Sequence, residues 1–306
     1  MDLPNYRQRL VALLQAQTFV ISLLPFLIGL TFAIFYYRQV NWGDSLLLLI
    51  AVVAFHFAVN GHNQYTDYRR FEKDTRVTHS QNNIIARYHI DLKWARLVIG
   101  SLTGLATIIG IYLTIKTGWI LLLIGCLSFI IGYSYSGGHH PILKTPLGEP
   151  ASGITMGYNI TLLGIYINIY NAPHFDPWFW LKGLLVALPA ILVISNVMLA
   201  NNTCDRDEDV VIGKRTLVYY IGRNAALKLL LACYAGAYIA IIVAVLAKYL
   251  PFWTLGSLLT IPIVWQRSMI FVHDPQKATT FFNVIINLQL ILVSEIMLIV
   301  IGIIWR

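Results

Sequence analysis

The chain has 306 residues, of which 58% are hydrophobic and only 12% charged. A soluble domain carries about 25% charge, so the composition excludes a soluble fold, and apolar runs of helix-spanning length exclude an outer-membrane barrel. The net charge of +8 would suggest nucleic acid in a soluble protein; here it is placed by membrane topology, and no nucleic-acid partner is expected. The N-terminus, polar through Arg9, predicts no cleavable signal. Cys126, Cys204 and Cys233 are scattered without CxxC spacing, which argues against a disulfide framework or a thiolate metal site.

Nine membrane helices are predicted, at residues 17–37, 45–63, 94–115, 119–135, 151–170, 180–200, 225–247, 252–266 and 282–304. Several begin or end on Trp or Tyr, as interfacial anchors do. With the N-terminus inside, seventeen of the 22 Lys and Arg residues fall on the cytoplasmic side and five outside. That asymmetry is a strong positive-inside signal and supports the odd number of spans. The expected product is an all-α, multi-pass protein of the cell membrane, a single domain over residues 1–306, embedded in the lipid bilayer.

The second span runs without a break into Asn60-Gly-His-Asn63-Gln-Tyr-Thr-Asp67-Tyr-Arg-Arg70-Phe-Glu72-Lys-Asp74. If the helix continues, Asn60, Asn63 and Asp67 share one face at i, i+3 and i+7. Acids near a helix C-terminus meet the negative end of its dipole, so the arrangement calls for a cation. The loop after span four, Gly132-Tyr133-Ser-Tyr135-Ser-Gly-Gly-His-His-Pro-Ile-Leu-Lys144-Thr-Pro-Leu-Gly-Glu149, falls on the same side. Tyr133 and Tyr135 fit the walls of an aromatic site, where their ring faces would stabilise a developing carbocation; they fit interfacial anchoring equally well. Lys144 is the only cation in this loop and a candidate for anion binding. His139 and His140 lack a ligand spacing and are expected to face solvent.

A second acidic cluster ends span six: Asn201-Asn202-Thr-Cys-Asp205-Arg-Asp-Glu-Asp209. Asn202, Asp205 and Asp209 repeat the spacing of Asn60, Asn63 and Asp67. Both clusters are trailed by basic pairs, Arg69 and Arg70, then Lys214 and Arg215, and they lie on the cytoplasmic side next to the longest loops. Charge runs at helix ends often do no more than meet water, but matched spacing on one side of the membrane makes that reading weaker for two clusters than for one. In the last span, Glu295 is the only acid deep within a predicted helix, with Asn283, Asn287 and Gln289 on the same span. Helix–helix hydrogen bonding is one reading of these groups, and lining of a substrate chamber is the other.

Asp, Glu and Asn oxygens are hard ligands suited to Mg2+, which binds through one or two carboxylates plus substrate phosphate oxygens. Flanking Arg and Lys would take the remaining phosphate charge. Two such clusters would hold a diphosphate between them, while an apolar cavity takes a hydrocarbon tail. The chemistry pointed to is ionisation of an allylic diphosphate. A secondary transporter with Asp67 and Asp209 as coupling sites is the rival class; its ionisable groups would sit near the bilayer midplane, whereas these lie at helix ends.

The chain resembles the UbiA superfamily of intramembrane prenyltransferases over nearly its full length. The first family motif is matched by Asn63-Gln-Tyr-Thr-Asp67 with Glu72 or Asp74 as the trailing acid. The second is matched by Asp205-Arg-Asp-Glu-Asp209, followed by Gly213-Lys-Arg-Thr-Leu217. Gln64 stands where the family often has Asp, and Gln15-Ala-Gln-Thr18 lacks the basic residue that often opens span one. Tyr135-Ser-Gly-Gly and Thr145-Pro-Leu-Gly-Glu149 are similar to the 1,4-dihydroxy-2-naphthoate polyprenyltransferases of menaquinone synthesis. The resemblance implies a UbiA-like bundle around a lipid-accessible chamber, and Mg2+-dependent transfer of a polyprenyl group from its diphosphate to 1,4-dihydroxy-2-naphthoate. Decarboxylation would then give demethylmenaquinone. It implies metal ligands among Asn63, Asp67, Glu72, Asp74, Asn202, Asp205 and Asp209, diphosphate contacts from Arg70, Lys144, Lys214 and Arg215, and a carbocation near Tyr133 or Tyr135. Asp67, Asp205 and Asp209 are the expected catalytic acids. A different aromatic acceptor, such as 4-hydroxybenzoate, stays open.

Overall fold

Helices account for nearly all the regular structure in a computed structural model that describes residues 5–71 and 83–306, the side chain of Phe71 excepted. In chain order they are α1 (Tyr6–Leu14), α2 (Val20–Phe32), α3 (Trp42–Phe71), α4 (Ile84–Arg87), α5 (Leu92–Thr117), α6 (Trp119–Ser136), α7 (Gly148–Ser152), α8 (Ile160–Ile169), α9 (Phe179–Cys204), α10 (Arg206–Val211), α11 (Leu217–Ile221), α12 (Arg223–Leu246), α13 (Ile261–His273) and α14 (Phe282–Ile304). No strand occurs among the described residues. Eight continuous helical stretches among them are long and apolar enough to cross a membrane. The remaining expected span, 151–170, is helical but changes type: α7 passes through a π-helical stretch, Gly153–Asn159, into α8.

That change of type has a packing cause. A Cβ on Gly153 would lie 2.6 Å from the Ile191 carbonyl oxygen, and one on Gly157 would lie 2.7 Å from the Ile191 backbone nitrogen. The stretch therefore lies directly against the backbone of α9, in the way small residues let membrane helices approach. The eighth span also differs from expectation. It begins as a 3-10 helix, Phe252–Thr260, and continues as α13 to His273, because its polar groups are met from α14. The Arg267 guanidinium donates to Asn283 Oδ1 at 3.1 Å, and Asn287 Nδ2 donates to Ser268 Oγ at 3.0 Å and to the Val264 carbonyl at 3.2 Å. Asn283 and Asn287 thus form helix–helix hydrogen bonds. Glu295 is fully buried on α14, and neither of its oxygens has a hydrogen-bond partner.

The chain divides into two compact units, each made of two segments. The first comprises residues 1–23 and 46–141, the second residues 24–45 and 142–306. In the first unit α1 starts with a reciprocal cap between Asn5 and Gln8 and ends at Gln15 in the left-handed region, φ 46°. Its Leu13 and Leu14 pack with Ile85, Ile90 and Ala95. Small residues Ala51, Ala54 and Ala106 let α3 and α5 meet, with Phe55 stacked on Phe129. In the second unit, α9 is the central element, in contact with α7, α8, α12 and α14. Segment 24–45 joins it through α8: Thr161 donates to the Pro25 carbonyl at 3.0 Å, a Cβ on Gly29 would lie 2.2 Å from the Thr161 carbonyl oxygen, and Asn41 takes Asn168 Oδ1 on its backbone N–H at 2.7 Å.

Candidate active site

The first acidic stretch does continue the membrane helix. α3 runs to Phe71, so Asn60, Asn63 and Asp67 lie along one face. They do not share one task. The Asn60 amide donates to the Leu14 carbonyl at 3.0 Å and to Thr18 Oγ1 at 2.9 Å, and so ties α3 to the break between α1 and the first span. Asn63 Oδ1, by contrast, is buried without a partner among the described residues. Asp67 lies 3.6 Å from the Arg70 guanidinium, and Arg70 also donates to the backbone carbonyl of Ser136 at the end of α6. That bond holds the acidic stretch against the C-terminal turn of α6. The Tyr133 hydroxyl shares a 2.5 Å hydrogen bond with Thr103, and its ring meets the His62 imidazole edge-on at 4.9 Å. Tyr135 is half-buried, and His139 and His140 are exposed. Glu72 and Asp74 lie outside the described residues.

The second acidic stretch is built differently. α9 ends at Cys204, Asp205 caps it, and a new helix, α10, starts at Arg206. The Asp205 backbone N–H closes the end of α9 on the Asn201 carbonyl at 3.0 Å, and its carbonyl accepts the Asp209 N–H at 2.8 Å to start α10. Gly213 follows with φ 76°, a left-handed turn that a side chain would oppose. The turn folds Lys214 back onto Asp209 twice, by its backbone N–H at 2.8 Å and by its ammonium at 3.0 Å. The next residue, Arg215, donates its backbone N–H to the Lys144 carbonyl at 3.0 Å, and its guanidinium lies over Tyr219. Lys144, Lys214, Arg215 and Asp209 are thus brought together from separate loops.

Two residues to which the sequence assigned no site role complete this half. Lys277, after α13, pairs with Asp205. Glu149 on α7 is 3% exposed and accepts from Asn202 Nδ2 at 2.9 Å. Its signal in the sequence was an acid directly before an apolar span; for Lys277 it was a lone lysine in a loop on the same side as the motifs. Burial pushes the Asp209 carboxyl above the usual range despite the opposing charge of Lys214. Burial also raises Glu149, against the smaller effect of the Asn202 hydrogen bond.

Among the described residues no three His, Cys, Asp or Glu side chains gather as a ready metal site. The individual oxygens nonetheless suit a hard cation. Asn63 Oδ1 in the first unit and Asp209 Oδ2 in the second are buried without partners among the described residues. Each such group costs about 1–3 kcal/mol unless satisfied. Mg2+ commonly takes only one or two carboxylates and completes its octahedron with water and phosphate oxygens. The donor sets therefore fit that ion.

The chain is similar to known proteins over nearly its whole length. The sequence profile described as the UbiA prenyltransferase family matches residues 22–291. A 1,4-dihydroxy-2-naphthoate octaprenyltransferase of Bacillus subtilis (strain 168) is 28% identical over 297 residues, covering 93% of each chain. Among solved structures, a UbiA homolog from Aeropyrum pernix K1 superposes with a TM-score of 0.64 at 18% identity, over 99% of both chains. A UbiA homolog from Archaeoglobus fulgidus, bound to GPP and Mg2+, superposes with a TM-score of 0.61 at 15% identity, over 95% of this chain and 99% of that one.

Proposed function

We propose, for a chain that belongs to the UbiA prenyltransferase family, that it transfers a polyprenyl group from its diphosphate to 1,4-dihydroxy-2-naphthoate with loss of the ring carboxylate. The observation that carries the acceptor is the near full-length likeness to the Bacillus subtilis enzyme, together with Tyr135-Ser-Gly-Gly and Thr145-Pro-Leu-Gly-Glu149 in this sequence. For the metal it is the buried, unpartnered Asn63 and Asp209 oxygens.

In this reading Asn63 and Asp67 of the first unit and Asn202, Asp205 and Asp209 of the second are the metal-holding groups, joined by Glu72 or Asp74. Mg2+ bound there would supply electrostatic stabilisation of the departing diphosphate. Arg70, Lys144, Lys214 and Arg215 neutralise the remaining phosphate charge. The bond between the allylic carbon and the diphosphate oxygen breaks, and the electron pair leaves with the diphosphate. The ring faces of Tyr133 and Tyr135 stabilise the allylic cation. The electron-rich carbon bearing the acceptor carboxylate attacks that cation, and loss of CO2 returns its bonding electrons to the ring. No base is needed at that carbon. The surrounding apolar helices exclude water, which would quench the cation.

The chain acts as a single catalytic domain in the plasma membrane, with its N-terminus and acidic stretches on the cytoplasmic side; the distribution of Lys and Arg supports that orientation. The acceptor is tested by incubating membranes that contain the protein with a prenyl diphosphate, Mg2+ and either dihydroxynaphthoate or 4-hydroxybenzoate. Prenylation of the naphthoate with release of CO2 is expected. Prenylation of 4-hydroxybenzoate alone would replace the naphthoate by the other acceptor.

A further inference from the structure

Glu149 lies outside both acidic motifs. It sits in the first turn of α7, 3% exposed; Oε1 accepts from Asn202, and the backbone N–H groups of Glu149 and Leu217 also act on the carboxylate. Asp209, 5% exposed, has Lys214 on Oδ1 and nothing on its buried Oδ2. The two carboxylates are close enough for the charge of Asp209 to act on Glu149. Like charges sharing a buried place are held there at a cost, which Lys214 on Asp209 Oδ1 and the nearby charge of Lys277 offset in part. The Asp209 Oδ2, buried without a partner among the described residues, beside a second buried carboxylate and the Asn202 amide, is what a further hard cation would relieve.

We infer that Glu149 is an additional carboxylate of the divalent-cation site in the second unit, and that it also orients Asn202. An ionised carboxylate only accepts hydrogen bonds, so Asn202 turns its NH2 toward Glu149 and keeps its amide oxygen for the cation. The position is rigid because the helical stretch that follows is locked against α9 at Gly153 and Gly157. The inference rests on the metal-dependent reading above, but it concerns a residue outside the two acidic motifs.

The test uses the purified full-length protein in detergent. Mn2+ serves as the spectroscopic probe, and free Mn2+ is followed by electron paramagnetic resonance during titration with inorganic pyrophosphate present. Glu149→Gln keeps an oxygen acceptor for Asn202 and removes the charge, so it separates a cation ligand from a merely structural hydrogen-bond partner. Glu149→Asp, which keeps the charge, serves if the Gln variant melts far below the parent. Mn2+ affinity is expected to fall at least tenfold in Glu149→Gln, within the 10–100-fold range typical of lost supporting groups at metal sites, and to recover in part in Glu149→Asp. Parent-like Mn2+ binding by a folded Glu149→Gln, or by both Glu149→Asp and Glu149→Ala, overturns the assignment while leaving the metal reading intact. A parent protein that binds no Mn2+ overturns both.

Discussion

Asp209 commits one oxygen to Lys214 and keeps the other buried and bare, so a neutral amide in its place removes charge without removing volume. Asp209→Asn, and likewise Asp67→Asn, are expected to lower Mg2+-dependent prenyl transfer by about 100- to 1000-fold, the range seen when one preorganised electrostatic group is lost. The rate should be measured in membranes where immunoblotting shows normal insertion; normal turnover in both variants would remove these acids from the mechanism. Away from the motifs, Asp176 is held by charge in another way. Burial works to raise its carboxyl, but hydrogen bonds from Lys182, Tyr37 and the Trp178 backbone outweigh it and hold it below the usual range. A lowered folded-state value stabilises at pH above the unfolded value, near 3.9, and the contribution fades as pH falls through the lower folded value. Asp176→Asn should therefore lower the melting temperature in detergent at pH 7, by an amount corresponding to about 1–3 kcal/mol, and the gap to the parent should narrow below about pH 4. The paired spacing of the motifs was legible in the sequence, but the division of labour within it was not. Asn60 aligns with Asn202, yet it bonds the end of α1 whereas Asn202 bonds Glu149. Contacts across 46 and 53 residues of chain leave no local trace.

At the scale of elements, the packing of the α7–α8 stretch on α9 is the most constrained feature. A methyl group on Gly157 would meet backbone atoms of Ile191 below 3 Å, and backbone cannot swing aside as a side chain can. Gly157→Ala should cost about 1–3 kcal/mol or more through overpacking, seen as a lower detergent melting temperature and reduced yield. Gly110→Ala, on a helix surface with open space around it, should leave both unchanged. The sequence showed this stretch as an apolar span but not its π-helical middle, because the irregularity follows from contact with α9 and not from local propensity. The reverse happened at α3. The expected span stopped at residue 63, where the residues turn polar, while the helix goes on to Phe71. Hydropathy marks where lipid ends, and a helix free of proline has no reason to stop there.

For the whole molecule, the distribution of Lys and Arg makes a claim about sidedness that can be checked without any activity. In a background lacking Cys126, Cys204 and Cys233, a cysteine at His139 should react with a membrane-impermeant maleimide only after cells are opened. A cysteine at Asn171 should react in intact cells. The opposite pattern would invert the topology. The apolar runs were legible in composition, eight of the nine expected spans being long enough, apolar helices among the described residues, but the grouping of those runs into units was not. Residues 24–45 belong with residues 142–306, and this has a consequence for biosynthesis. Pro25, Gly29 and Asn41 leave the ribosome early, but their partners Thr161 and Asn168 are translated more than a hundred residues later. The first hairpin must therefore wait in the bilayer, unpaired, while the whole segment 46–141 is made and inserted. A nascent chain arrested before α8 would hold residues 24–45 without the contacts that Thr161 and Asn168 supply.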